Sequence, residues 1–228
     1  MRYECRFINA AEGHLPWEEM AAGTLVEVVT GGKPRLETRF RACWTEDVLH
    51  VRFECEDDHV VATMERRDDP IYEEDVVEVF LDPIGTGRIY YEFELSPKGV
   101  EFDALIRNSL DGNKEVDVAW DAKGLTTSVA DGEAGWKHYE LRIPFADLLA
   151  EGGEERELGR ERELELGRMQ ELERERMRVP RHGAEWGWNL YRIDDDMAGN
   201  RHYWAWSPTG KVNFHIPQRF GTLVFVKE

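Results

Sequence analysis

The sequence is poor in cysteine and contains no long apolar run. Its three cysteines, Cys5, Cys43 and Cys55, cannot all pair within one chain, and none shows a CxxC spacing. A disulfide scaffold or a zinc site is therefore not expected, and Cys43 and Cys55 are interpreted as small core residues. No stretch approaches the roughly 18 consecutive apolar residues that a membrane-spanning helix needs.

Positive charge is also scarce. The chain has 29 Lys and Arg residues against 47 Asp and Glu residues, which gives a formal net charge of -18. Nucleic-acid phosphates and anionic membrane surfaces would repel such a chain, so uncharged or cationic partners remain. No P-loop, GxGxxG motif or nucleophile elbow follows a strand-like stretch, so nucleotide binding and hydrolases of that type have no support.

A secretory leader is not recognisable at the N-terminus, which has an acidic residue at position 4 and no apolar core. The protein is therefore expected in the cytoplasm, or outside the cell if a leader precedes this stretch. With 228 residues, a single domain covering 1–228 is expected, because β-sandwiches often reach this size as one unit.

The clearest element of the chain is the stretch EDVVEVFLDP at residues 74–83. It is rich in β-branched and aromatic residues and ends at a proline, which predicts a short strand. On a period of two, Glu78 shares a face with Val76 and Phe80, while the other face is wholly apolar. Glu78 is therefore either a solvated outer residue or a carboxylate that accepts hydrogen bonds from a polar group.

Two-residue alternation predicts most of the remaining structure. The runs at 35–44 and 49–56 are joined by three polar residues, which predicts a β-hairpin. Strands about ten residues apart with turn signals between them predict an all-β, two-sheet antiparallel sandwich similar to a jelly roll. Further strands are predicted at 90–95, 102–106, 116–120, 126–129, 136–143, 186–193, 201–207 and 222–226, with a short helix at 146–149.

Residues 151–181 differ from the rest of the chain. They are dense in Glu and Arg and contain no aromatic residue. Opposite charges three positions apart, such as Glu165 and Arg168, favour a helix, whereas Gly159 and Gly167 would each cost about 1 kcal/mol inside one. This segment is interpreted as a charged helical or flexible insertion between two strands. A partner-binding coiled coil is the alternative, but the heptads are too few.

The last third of the chain holds four of the eight tryptophans and is the expected location of a site. Trp206 lies where a strand opens into a loop, and Tyr72 precedes the strand that carries Glu78. Aromatic faces can stack on the C–H groups of a sugar ring, while carboxylates and amides bind its hydroxyls. The candidate ligand-binding residues are Tyr72, Glu78, Asn189, Arg192 and Trp206.

Four motifs resemble those of the family 9 carbohydrate-binding modules and their stand-alone relatives, which belong to the DOMON-like superfamily. The resemblance covers nearly the whole chain except 151–181, with the motifs in the same order. The motifs are Tyr72 with EEDVVEVFLDP, YYEFELSP at 90–97, NLYRID at 189–194, and AWSPTG at 205–210 with RFG at 219–221.

The resemblance implies a sandwich that holds a terminal sugar in a slot between two aromatic residues. By motif position these are Tyr72 and Trp206, with Glu78 accepting hydrogen bonds from hydroxyls and Asn189 also contacting the sugar. On this basis, Trp206→Ala should abolish binding and leave the fold intact. The ligand would be a mono- or oligosaccharide, and a polysaccharide-degrading enzyme is the implied partner.

The chain departs from the family pattern at two positions. Tyr72 stands where the family's studied modules have tryptophan, and Glu92 stands where an arginine is expected. Arg192 could supply the missing guanidinium, although strict alternation points it away from Asn189. The resemblance also implies structural calcium, for which the sequence offers an acidic turn at 194–196 and the pair Asp57 and Asp58.

Two rival functions use other residues. A glycosidase could pair Glu78 with Glu92 or Glu94, because neighbouring strands place such side chains about 5–8 Å apart. A haem-binding redox module of the same superfamily would use a methionine and a histidine as ligands. The pairs with suitable spacing are His59 with Met64 and Met197 with His202.

Overall fold

The computed structural model describes residues 1–9, 15–149 and 180–227. Within these ranges the regular structure is almost entirely β-strand, and the helical elements are short 3-10 turns. The predicted all-β class is therefore confirmed. The insertion predicted at 151–181 falls outside the described residues except for its last two positions. None of the helices in the described ranges is long and apolar enough to cross a membrane.

Fourteen strands form the fold in the described part of the chain. In chain order they are β1 (Arg2–Phe7), β2 (Gly23–Thr24), β3 (Val26–Glu27), β4 (Thr38–Trp44), β5 (Val48–Glu56), β6 (Val76–Asp82), β7 (Ile89–Leu95), β8 (Glu101–Asn108), β9 (Lys114–Asp117), β10 (Thr126–Asp131), β11 (Trp136–Pro144), β12 (Glu185–Asp195), β13 (Arg201–Ala205) and β14 (Gly221–Val226). The predicted hairpin is β4 and β5. The strand predicted at 116–120 begins earlier, as β9, and the short helix predicted at 146–149 is a 3-10 turn, Asp147–Leu149.

The strands form one hydrogen-bonded sheet that curls over into two layers. Its order is β10-β11-β5-β4-β1-β14-β12-β6-β7-β8-β9, with β13 and β3 attached beside β12 and β2 beside β4. All pairs are antiparallel except those of β1, which runs parallel to both β14 and β4. This strand was not predicted, and it joins the two layers that the sequence suggested as separate sheets.

The main core lies between the two layers. Phe40 of β4 packs edge-on against Trp188 of β12, with ring centroids 5.5 Å apart. The apolar face of β6, formed by Val77, Val79 and Leu81, belongs to the same core, as alternation predicts. Burial of these large side chains is the largest favourable contribution to folding, at about 25 cal/mol per Å² of apolar surface.

The other face of β6 and β12 carries a second apolar cluster. Val76 and Phe80 of β6 belong to it, together with Tyr191 and Ile193 of β12. Glu78 lies on this face between Val76 and Phe80 and is only 2% exposed. Its interpretation as a solvated outer residue is therefore wrong. A carboxylate buried in this way needs polar partners.

The turn after β6 sets the register that places Glu78. Asp82 accepts hydrogen bonds from the backbone N–H groups of Gly85, at 2.8 Å, and Gly87, at 2.6 Å. Both glycines have positive φ, 74° and 70°, which side chains of other residues rarely tolerate. The turn brings β7 back antiparallel, so that Glu78 faces Glu94 directly.

One buried histidine in the fold predicts a pH dependence of stability. His50 is 3% exposed, and neither ring nitrogen has a hydrogen-bond partner among the described residues. Burial, with a smaller effect from Arg142, lowers the pKa of His50 to about 4. The unfolded chain binds a proton at this position below about pH 6.5, whereas the folded chain does so only near its lowered pKa. Acid therefore favours unfolding.

We expect His50→Leu to reduce the loss of stability between pH 7 and about 4.5 by roughly 2–3 kcal/mol. Urea unfolding of the wild type and the variant at the two pH values measures this difference. Comparing the pH effect within each protein removes the effect of the substitution on packing. Equal pH effects in the two proteins would contradict the prediction.

Candidate functional site

The candidate site begins at the centre of the second apolar face. Glu78 of β6 has Glu94 of β7 on one side and Tyr191 of β12 on the other. Glu92 of β7 points to the same face because it is two residues from Glu94. One carboxylate oxygen from each of the three glutamates lies within 4.8 Å of the others.

A pocket of about 480 Å³ opens above these glutamates. Its volume is within the range of small-molecule binding sites. It combines aromatic and aliphatic walls with several polar groups, and the loop after β13 forms one side. The lining residues are Tyr72, Glu78, Glu92, Phe102, Lys114, Val116, Val118, Ile193, Tyr203, Val212, Asn213, Phe214 and His215.

Tyr72 is the most exposed aromatic residue of this pocket. It lies in a 3-10 turn, Ile71–Glu73, just before β6, and is 44% exposed. Its ring packs in a T-shaped arrangement against Phe102 of β8, with centroids 5.7 Å apart and an interplanar angle of 82°. The remainder of the ring is free to pack against a ligand.

Burial and mutual repulsion dominate the electrostatics of the glutamates. Burial, followed by the charges of the neighbouring carboxylates, raises the pKa of Glu78 and Glu94 well above the ordinary value. Burial raises the pKa of Glu92 to about 7. Lys114 is exposed at the start of β9 and faces these groups. Partial desolvation lowers its pKa, although the charges of the three carboxylates oppose that shift.

A hydrogen-bonded relay orients His215 at the edge of the pocket. Asn108 donates to the Tyr90 hydroxyl oxygen at 3.3 Å, and that hydroxyl lies 2.9 Å from His215 Nδ1. The hydroxyl can donate to Nδ1 or accept from it, depending on the tautomer of the ring. Burial and Lys114 lower the pKa of His215 to about 3, so the ring is a neutral donor. Its Nε2 lies 3.9 Å from Glu92.

Trp206 is not in this pocket. It is 3% exposed and belongs to the main core, 5.7 Å from the ring of Phe40 and 5.5 Å from that of Trp188. A Cβ atom at Gly221 would lie 2.3 Å from the Trp206 ring, which explains the glycine of the RFG motif. The predicted slot between Tyr72 and Trp206 is therefore wrong. Trp206 lies in the core on one side of the sheet, whereas Tyr72 lines the pocket on the other side.

Asn189 is on the pocket face, but its side chain binds other parts of the protein. Its amide nitrogen donates to the Tyr191 hydroxyl and to the Ser207 carbonyl, both at 2.8 Å. Its amide oxygen accepts from the backbone N–H groups of Ser207 and Leu190. Tyr191 in turn donates to the Phe214 carbonyl at 2.9 Å. Asn189 thus anchors the loop that lines the pocket and has no group left for a sugar.

Arg192 lies on the core face of β12, as strict alternation requires. Its guanidinium donates to the carbonyl of Glu56 at 2.7 Å, to Thr38 Oγ1 at 3.2 Å and to Asp194 at 2.5 Å. The guanidinium carbon is also 4.9 Å from the centroid of the Trp204 ring. The hypothesis that Arg192 contacts the ligand is therefore wrong. It connects the two layers across the core.

The acidic turns offered for calcium are occupied by other groups. Arg35 bridges Asp58 to the turn at 194–196, with both N–O distances at 2.7 Å. Arg201 pairs with the same turn at 2.7 Å, and Asp57 accepts from a backbone N–H. Arginines and backbone N–H groups therefore occupy most of these oxygens, although Asp57 Oδ2 has no hydrogen-bond partner among the described residues, and structural calcium at these turns stays a prediction.

The residues named for a haem site are dispersed. Met197 is 80% exposed in a turn, and His202 Nε2 lies 3.1 Å from Asp196. Met64 packs against the second apolar cluster, whereas His59 lines a separate surface cavity. These positions give the haem alternative no support.

Several lining residues were missed from the sequence. Lys114 was assigned to no element, and Phe214 and His215 lie in the loop after β13, whose own conformation alternation does not predict. Tyr203 had a usable signal, because it has the opposite parity to Trp204 on β13. The structure brings Tyr203 into the pocket and Trp204 into the core.

Comparison with known proteins identifies the family to which the chain belongs. The family model described as "Carbohydrate family 9 binding domain-like" matches residues 11–228. An "Extracellular protein" of Arthroderma benhamiae is 25% identical over 229 residues, covering 92% of this chain and 87% of that protein. The expectation of a cytoplasmic location gains no support from this relative.

Solved structures share the fold. A carbohydrate binding module family 9 from Caldicellulosiruptor kristjanssonii has been solved in complexes with glucose and with cellotriose. Both complexes superpose with a TM-score of 0.65 at 14% identity, covering 100% of this chain and 97% and 95% of theirs. A crystal structure of a protein from Bacteroides uniformis gives a TM-score of 0.69 at 19% identity, with 98% of both chains covered. The predicted β-sandwich is thereby confirmed.

Proposed function

This chain belongs to the carbohydrate family 9 binding domain-like family, and from that membership we propose that it is a non-catalytic carbohydrate-binding protein. The observation that carries the proposal is the pocket that joins the exposed ring of Tyr72 to the carboxylates of Glu78 and Glu92. An aromatic face with hydrogen-bonding groups beside it is the arrangement that a pyranose requires.

Each part of the pocket has a role in this proposal. The free part of the Tyr72 ring packs against the C–H groups of the sugar. Glu78 and Glu92 accept hydrogen bonds from hydroxyls, while Lys114 and His215 donate to them. The donors and acceptors lie on different strands and loops, so they surround a ligand rather than follow an extended chain. A mono- or oligosaccharide end is the ligand that this geometry favours.

Glucose and cello-oligosaccharides are the first ligands to test, because the family 9 module of similar fold was solved with glucose and cellotriose. Affinity is expected on the order of micromolar, since a single sugar ring has few atoms to bury. An extracellular location, where polysaccharides are met, accords with the name of the Arthroderma relative. A polysaccharide-degrading enzyme is the partner that such binding would serve.

The glycosidase alternative uses the same carboxylates. Glu78, Glu92 and Glu94 do converge, as that alternative requires, but each is at most 6% exposed. The family to which the chain belongs is one of binding domains. Binding without turnover of aryl glycosides is therefore the expected behaviour.

The proposal is tested by a glycan array followed by calorimetric titration of the wild type and of Lys114→Gln. Lys114 lines the pocket from β9, and loss of a charge-assisted hydrogen bond, worth about 1.5–3 kcal/mol, should weaken binding roughly tenfold or more. Lys123→Gln, a change of an exposed lysine outside the lining, is the matched control and should bind as the wild type does. No saturable binding of any glycan by the wild type would refute the proposal.

A further inference from the structure

The rim of the pocket carries a large share of the exposed apolar surface. Nine large apolar side chains are exposed in the described part of the chain, and four of them, Tyr72, Val116, Val118 and Val212, line this one pocket. Apolar side chains scattered singly over a surface are ordinary, but several around one opening mark a binding surface. Tyr72 already has a role with the sugar ring, whereas the three valines have none.

The three valines come from two parts of the chain. Val116 lies on β9, Val118 directly follows that strand, and Val212 lies in the loop after β13. Their exposed fractions are 38%, 52% and 57%, in that order. Much of each side chain is therefore open to solvent and available to a ligand.

The valines at β9 lie to the side of the carboxylates. The glutamates belong to β6 and β7, and β8 separates β7 from β9. At about 4.7–4.9 Å between neighbouring strands, the backbone of β9 is about 10 Å from that of β7. Lys114 faces the carboxylates from the start of β9, whereas Val116 and Val118 extend the apolar wall that Phe102 begins on β8. The pocket thus has a polar side and an apolar side.

The chemistry of valine restricts what can bind on the apolar side. A second sugar unit would place hydroxyls against side chains that neither donate nor accept hydrogen bonds, so the lost hydration of those hydroxyls would not be replaced. Valine also lacks the planar face on which the C–H groups of a sugar ring stack. An alkyl or phenyl group has no hydroxyl to satisfy, and covering apolar surface favours its binding.

We propose that the pocket binds a glycoside with an apolar aglycone. The sugar ring occupies the polar side, beside Tyr72 and the glutamates, and the aglycone covers Val116, Val118 and Val212. This inference rests on the carbohydrate function proposed above and names the class of its ligand. The pocket volume of about 480 Å³ lies within the range of sites that hold drug-sized molecules, which combine polar and apolar parts in the same way.

The test compares glycosides of one sugar that differ only in the aglycone. Calorimetric titration of the full-length protein uses the methyl, butyl and phenyl β-glycosides of the sugar that the array selects, beginning with glucose. Each fully buried methylene strengthens binding about fourfold, so the butyl glycoside should bind roughly tenfold or more tightly than the methyl glycoside. A gain from either larger aglycone supports the inference, and comparing the two distinguishes an alkyl from an aryl ligand.

Two negative results separate the inference from the function on which it rests. If the methyl glycoside binds and neither larger aglycone adds affinity, the aglycone inference is overturned and the carbohydrate proposal stands. If no glycan or glycoside binds, both are refuted.

Valine variants locate the aglycone. Val118→Asn and Val212→Asn should each lower the ratio of butyl to methyl affinity about threefold or more, and neither should prevent folding because both side chains are exposed. Val60→Asn is the matched control, since this valine is 41% exposed and lines a different cavity, and it should keep the wild-type ratio. Wild-type ratios in both rim variants would overturn the inference.

Analytical ultracentrifugation of the wild type and of Val118→Asn tests a different occupant of the valine surface. The wild type should sediment as a monomer. A wild-type dimer that Val118→Asn dissociates would assign the valines to a second copy of this chain and would overturn the inference.

Discussion

Replacing Tyr72 with alanine is expected to weaken carbohydrate binding by about tenfold or more and to shift the melting temperature by only about 1–3 °C. The ring is 44% exposed and packs in a T-shaped arrangement against Phe102. Its free surface is therefore available to a ligand and contributes little to the core. Calorimetric titration with the best ligand from the array, together with thermal unfolding, measures both effects.

Tyr72→Phe is the matched control for this prediction. It keeps the ring and removes only the hydroxyl, so affinity should stay within about threefold of the wild type if stacking dominates. A loss in Tyr72→Phe equal to that in Tyr72→Ala would show that the hydroxyl, and not the ring face, binds the ligand. Unchanged affinity in both variants would exclude Tyr72 from the site.

Trp206→Ala should have the opposite result. Trp206 is 3% exposed and contacts Phe40 and Trp188 in the main core. Removing a core aromatic ring costs about 3–5 kcal/mol, which corresponds to a fall in melting temperature of roughly 6–20 °C for a chain of this size. Thermal and urea unfolding measure it. A variant that keeps its stability and loses only binding would restore the slot between Tyr72 and Trp206.

Gly221 provides a control for the position of the Trp206 ring. A Cβ at residue 221 would come within 2.3 Å of that ring, so Gly221→Ala alone should destabilise the protein. In the Trp206→Ala background the clash is absent, and the same substitution should cost much less. Additive effects of the two substitutions would contradict the packing described, since contacting residues normally couple.

Alternation along the sequence was sufficient to locate most strands. The stretch at 74–83 predicted β6, which spans Val76–Asp82, and the runs at 35–44 and 49–56 predicted the β4–β5 hairpin. These predictions succeed because a side chain's face in a strand depends only on the local period of two. The same rule places Val77, Val79 and Leu81 together on one face of β6, which the structure shows in the main core.

The order of the strands was not accessible in this way. β1 pairs in parallel with β14 and β4, although these strands are separated from it by very different lengths of chain. Such contacts depend on the total packing of the sheet, and local alternation contains no information about them. The curl of the sheet into two layers is therefore a property of the assembled strands.

The site residues were likewise predicted in part from the sequence and in part missed. The sequence identified Tyr72 and Glu78, which share one pocket, but it also assigned Trp206 and Arg192 to that pocket. Those two side chains point to the core side of the sheet, and Trp206 is buried in the core. The aromatic residue of β13 that reaches the pocket is Tyr203.

By itself, the sequence determined the β class, the acidic character and the sets of residues that share a face. Only the tertiary structure decided which face became the core and which became the floor of a pocket. It also brought Glu78, Glu92 and Glu94 together with Lys114, from three strands. The reason is that periodicity fixes the relative direction of neighbouring side chains, whereas the environment of each face depends on strands distant in the chain.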